Sequence, residues 1–255
     1  YENNNREPNY TRTIFSWEFP YYMINQLNQF ILGINGSANL SEIEKDSFLG
    51  QAHAMRAFYY FQLALEFQHT YSYDLTLPAP PIYAEPAIEG KAMSTLGELY
   101  DFIVADLNIA IETTPTNRTN NSFINRDVVY AIMARVQLVM GNWQEASNAA
   151  AIARQAYPLN ANQYRTGFDD INASEWIWGM PQRADQTNYF FIAPHAFTDN
   201  INDGYGLAFW NKDFVDALPV RDDDYLTKRF GELCVNFAKR GVKENNGDNK
   251  RRMGK

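Results

Sequence analysis

Two stretches of the chain, residues 71–83 and 183–211, set aromatic rings among amides and charged side chains. That mixture suits saccharide binding: a pyranose has an apolar face that stacks on Trp or Tyr, and hydroxyls that need Asn, Asp, Gln or Arg beside it. Trp210, Tyr205 and Tyr83 are the candidates for stacking, and Arg183, Asn188 and Asn211 for hydrogen bonding. A ring contributes only ~1 kcal/mol beyond the area it buries, so each contact is weak. Modest affinity follows.

Other chemistries find less support. His53, His69 and His195 are scattered with no second ligand four residues on, so no zinc site is expected. Residues 199–204, DNINDG, open like an acidic calcium loop, but Ile201 holds its third position and Trp210 its twelfth, where Glu is needed. Calcium is left unsupported and no cofactor is expected. The run Asp222, Asp223, Asp224 reads as a solvated turn. Glycoside hydrolysis needs two carboxylates across a cleft, and 30 acidic residues supply too many pairs to single one out. No nucleophile elbow, phosphate-cradling glycine loop or dinucleotide fingerprint occurs. The chain is expected to bind its ligand, not transform it.

The elements behind these loops must come from a well-packed chain, since 45% of its 255 residues are apolar and 15% aromatic. A net charge of −8, with the one dense basic run at residues 250–252, argues against nucleic acid as a partner. The single cysteine, Cys234, excludes an intrachain disulfide and reads as a buried thiol. No run of ~18 apolar residues could span a bilayer. Opening at Tyr1 without Met predicts a processed chain or part of a longer one.

Helical signals dominate the first 158 residues. The pattern predicts a helix over residues 15–32, entered near Pro20 and carrying Phe15, Phe19, Tyr22, Met23, Leu27, Phe30 and Ile31. Ser41 and Glu44, at capping-box spacing, start a helix through Phe67 that is apolar on nearly every side and therefore central. Arg56 is its odd residue, read as a structural ion pair ahead of a ligand anchor. Residues 68–95 hold Pro78, Pro80, Pro81 and Pro86, a proline-rich insertion long enough to shape a binding edge. A helix over residues 96–112 follows.

Residues 126–158 form a helical hairpin about Gly141 and Asn142. Its first half carries the stripe Val129, Ile132, Met133, Val136, Val139, Met140; its second carries Ala146, Ala149, Ala150, Ala153 and Ala156, small enough for close helix approach. Gly141 suits a left-handed helix end, and Asn142 can cap the next helix. Trp143 and Pro158 complete a likeness to a tetratricopeptide repeat. The interval from Ala110 to Pro115 equals that from Ala153 to Pro158, aligning Ile103 with Ala146 and Leu107 with Ala150. Two helix pairs therefore look like copies. Residues 176–179, WIWG, read as an extended segment with a packing role, and residues 160–255 as loop-rich.

The ordered set RAFYYFQLALEF, LYDFIVADLNIAIETTP, RDVVYAIMARVQLVMGNWQEASNAAAIARQAYPLN and SEWIWGM resembles the SusD/RagB family of glycan-binding outer-membrane proteins. The resemblance runs from about residue 42 to 180. It implies one mainly α-helical SusD-like domain over residues 1–255, with a tetratricopeptide-like core at 41–158 interrupted at 68–95. It further implies a cell-surface nutrient-binding lipoprotein that delivers oligosaccharide, or peptide in RagB-like branches, to a SusC-like TonB-dependent transporter. An enzyme is not implied. The lipidated cysteine of the family is absent, and members usually continue beyond a segment like Arg221–Asp224, so a fragment is expected. A peptide-binding tetratricopeptide-like scaffold is the alternative.

Overall fold

The computed structural model describes residues 8–160 and 171–181, all within one compact unit, Tyr1–Pro181. Five helices occur among them: α1 (Thr11–Asn35), α2 (Glu42–Phe67), α3 (Leu96–Thr113), α4 (Arg126–Met140) and α5 (Trp143–Arg154). Between α2 and α3, strands β1 (Pro78–Ala79) and β2 (Ser94–Thr95) pair antiparallel, with Pro78 opposite Thr95. The fold is mainly α and tetratricopeptide-like, as expected. Helix α2 packs against α1, α3 and α4, which explains its all-round apolar surface. None of the described helices is long and apolar enough to cross a membrane.

Helix α2 starts where Ser41 and Glu44 place it. The Ser41 hydroxyl accepts from the Glu44 N–H at 3.4 Å, and Glu44 Oε2 accepts from the Ser41 N–H at 2.9 Å. Thr95 and Glu98 build a second capping box at α3, with distances of 3.2 and 2.8 Å. Both carboxyls are held below the usual Glu range, Glu44 chiefly by the Ser41 hydroxyl and Glu98 chiefly by the Thr95 N–H. A carboxyl whose folded pKa is lowered stabilises fully above its unfolded value and loses that contribution as pH falls through the folded one. Thermal scans below about pH 4.5 should therefore show a steeper fall in Tm for the native chain than for the E44Q/E98Q double variant. Superimposable profiles would mean that neither box contributes.

At the second hairpin Gly141 adopts the left-handed conformation, φ 82°, and ends α4. Ala146, Ala149 and Ala153 are buried, whereas Ala150 and Ala156 are exposed. The α4–α5 contact thus uses one row of alanines, not the full set. Under the duplication register Ile103 and Ala146 are both buried, but buried Leu107 meets exposed Ala150. Asn142 does not cap α5 with its side chain. Its backbone, φ −83° and ψ 70°, lies outside the extended region that turns a capping side chain onto the helix, and its amide donates instead to Gln137 Oε1 at 2.7 Å.

Helix α1 departs furthest from its sequence pattern. It begins at Thr11 and carries Pro20 inside. Proline offers no N–H to the carbonyl one turn back, yet rings on either side of it are fixed by α2: Trp17 lies 4.9 Å from Phe67, Phe19 6.0 Å from Tyr59 and Tyr21 6.4 Å from Tyr60. Packing outweighs the missing bond. The buried face is Pro20, Ile24, Asn28 and Ile34, while Phe15, Phe19, Tyr22 and Phe30 are exposed.

Residues 176–179 are irregular, not extended. Packing is nonetheless their role: Trp178 Nε1 donates to the Ser122 carbonyl at 3.1 Å and its ring lies 6.0 Å from Phe58. Arg118 donates to the Ile177 carbonyl and holds this segment against the loop before α4.

Candidate functional site

Arg56 on α2 and Asp106 on α3 are 4% and 2% exposed. A buried charge persists only when paired. Here the pair is two-pronged, with Arg56 Nε donating to Asp106 Oδ2 and Nη2 to Oδ1, each at 2.7 Å. The structural reading of Arg56 is the right one. His53 Nδ1 lies 2.7 Å from Asp106 Oδ1; a carboxylate only accepts, so that nitrogen carries the proton. The 3.2 Å approach of Arg56 Nη2 to the same nitrogen is then a contact and not a hydrogen bond.

The remaining Arg56 nitrogen, Nη1, reaches out of the helix layer. It donates to Asn28 Oδ1 at 2.7 Å and to the Ala84 carbonyl at 2.9 Å. Asn28 Nδ2 in turn donates to the carbonyls of Tyr83 and Glu85 at 2.9 and 3.0 Å. The Tyr60 hydroxyl donates to the Tyr83 carbonyl and accepts from its N–H, at 3.2 and 2.7 Å. Tyr21 donates to the Pro81 carbonyl and Lys91 Nζ to that of Ile82, each at 2.8 Å. Every carbonyl from Pro81 to Glu85 is thus held by a side chain. Burial, foremost, pushes the Tyr21 and Tyr60 phenols up, so both remain donors across the ordinary pH range.

This clamped loop and α1 enclose a cleft of about 370 Å³. From α1, Trp17, Glu18, Tyr21, Ile24, Asn25 and Asn28 face it; from the loop, Pro81, Tyr83, Ala87, Ile88, Glu89 and Gly90 do. Tyr83, one of the stacking candidates, stands in its wall, edge-on to Tyr21 at 5.8 Å, with its hydroxyl accepting from the Lys91 N–H at 2.9 Å. Trp210, Tyr205, Arg183, Asn188 and Asn211 lie outside the described residues, as do the acidic stretch 199–204, Cys234 and His195. Trp17, Tyr21 and Asn28 had no place among the candidates. Their spacing of four and seven residues along one helix face was the available signal. Among the described residues no group of three His, Cys, Asp or Glu could hold a metal.

A family model described as SusD-like, starch-binding and associating with the outer membrane, matches residues 1–138, more than half of the 255-residue chain. The chain belongs to the SusD-like family. Its fold is similar to that of a SusD-like carbohydrate binding protein from Bacteroides vulgatus, 30% identical, with TM-score 0.63 and coverage of 68% of this chain and 38% of that one. A SusD superfamily protein from Bacteroides thetaiotaomicron is 26% identical, with TM-score 0.63 and coverage of 68% and 40%. Another from Bacteroides fragilis, 21% identical with TM-score 0.55 and coverage of 59% and 36%, shares the fold. The SusD-like chain thus spans about two fifths of the length of these relatives, 36–40%. A search of curated proteins gave no match. The family description and the name of the B. vulgatus structure are those of binding proteins, not enzymes.

Proposed function

We propose that this SusD-like protein captures oligosaccharide at the outer membrane, in the cleft between α1 and the 81–90 loop. The observation that carries this reading is the family match itself, because residues 1–138 contain every wall of the cleft. The chemistry agrees. Trp17, Tyr21 and Tyr83 offer apolar ring surface, and the Asn25 amide and Glu18 carboxylate can meet hydroxyls alongside. Delivery to a SusC-like TonB-dependent transporter, and attachment to the cell surface by an N-terminal lipid, complete the proposal.

Titration of the purified protein with starch-derived and other oligosaccharides tests it. Binding is expected, and Trp17→Ala should weaken it about tenfold, as loss of one stacked ring requires. Far-UV circular dichroism distinguishes lost binding from lost fold, since Trp17 also touches Phe67. Unchanged affinity in Trp17→Ala would move the ligand elsewhere, and capture of peptides without any saccharide would reverse the reading. Co-purification of a TonB-dependent transporter from outer membranes tests delivery, and its absence would remove that step.

A further inference from the structure

The charges around the cleft are one-sided. Glu18 on α1 and Glu89 in the loop line it and are exposed. Among the described residues no Lys or Arg lines it. Two cations stand behind the wall: the Lys91 ammonium donates to the Ile82 carbonyl at 2.8 Å and keeps its charge, whereas Arg56, behind Asn28, is matched by Asp106. Glu85, exposed on the same loop, adds a third carboxylate to the field. The same wall includes Trp17, Tyr21 and Tyr83, and the face of an aromatic ring carries negative potential that favours cations as well. Carboxylates and rings therefore act in the same direction.

Resting on the cleft as the saccharide site, we propose that it sorts sugars by charge, favouring uncharged ones and those bearing protonated amines over uronates and sulfate esters. A carboxylate on the ligand would approach the Glu18 and Glu89 carboxylates, offset only by the Lys91 ammonium beside Ile82; an ammonium would be drawn to both carboxylates. Across a water-filled mouth each effect is modest. An anionic oligomer should bind about tenfold more weakly than its neutral counterpart at low salt. The gap should close as salt shortens the screening length from ~10 Å at 0.1 M to ~3 Å at 1 M. Stacking on Trp17 has no such dependence.

The experiment titrates the full chain with neutral, glucosamine-containing and glucuronate-containing oligomers of equal length, slightly below neutral pH, at low and high salt. It is repeated with the E18Q/E89Q double variant and with Glu89→Lys. The expected order is amine, then neutral, then uronate. E18Q/E89Q should compress the spread to within about twofold, and Glu89→Lys should improve uronate binding about tenfold. Both sites are exposed, so the fold is retained. Equal affinity for neutral and uronate oligomers in the native chain, or a spread unmoved by E18Q/E89Q, overturns the charge rule and leaves the saccharide reading standing. No binding of any oligomer overturns that reading, and this inference with it.

Discussion

Asp106→Ala lowers the free energy of unfolding by about 3–5 kcal/mol, read by urea denaturation. The loss exceeds what the ion pair itself contributes, because the substitution leaves the Arg56 guanidinium buried without a counter-ion. Phe102, with its ring centroid 5.1 Å away, cannot replace the carboxylate. His53 loses its acceptor in the same step. Asp106→Asn, which keeps the shape and an acceptor but not the charge, should fall between. Replacing both partners, R56M/D106L, should be milder than Asp106→Ala, since no charge stays stranded. It should not return to the native value: the Ala84 carbonyl and Asn28 Oδ1 would lose their donor. A loss below ~1 kcal/mol in Asp106→Ala would mean that the guanidinium finds water or another anion.

Gly50→Ala is the second large effect, and its sign runs against helix propensity. In an open helix interior that change stabilises by about 1 kcal/mol. At Gly50 a Cβ would stand 2.2 Å from Thr114 Oγ1, 2.7 Å from the Thr114 nitrogen and 2.8 Å from Thr113 Oγ1. The Thr114 main chain cannot easily yield. Its N–H donates to the Ala110 carbonyl at 2.9 Å, and its own carbonyl accepts from Arg126 Nε at 3.1 Å. Separating α2 from the end of α3 should outweigh the propensity gain and leave a net loss of about 2 kcal/mol. Gly33→Ala in α1 is the comparison, because a Cβ there meets nothing within 4 Å. It should be neutral or stabilising by up to ~1 kcal/mol. Equal shifts in Tm for the two variants would remove the steric argument.

These contrasts show where the sequence was legible. The start of α2 and the end of α4 were readable because their causes are local: Ser41 and Glu44 are three residues apart, and Gly141 needs no partner. Pro20 was not readable. Whether it begins a helix or sits inside one is decided by Phe67, Tyr59 and Tyr60, which are distant in the chain and adjacent only after folding. The same holds for the cleft. Its prolines marked the loop and led to Tyr83, but Asn28 works by meeting the carbonyls of Tyr83 and Glu85, and a carbonyl has no letter in a sequence. Trp17 was hidden for a related reason: the outward Phe15 and Tyr22 carry the louder apolar signal.

The grip on residues 81–85 falls on atoms that every amino acid possesses. Ile82 and Tyr83 must keep the N–H groups they donate to Ser94 Oγ and the Tyr60 hydroxyl, which bars proline at both, but the hold asks little else of the identities along this stretch. The side chains that this bend presents can therefore be exchanged while the helices beneath it stay as they are. An engineer could redesign the bend with the same freedom.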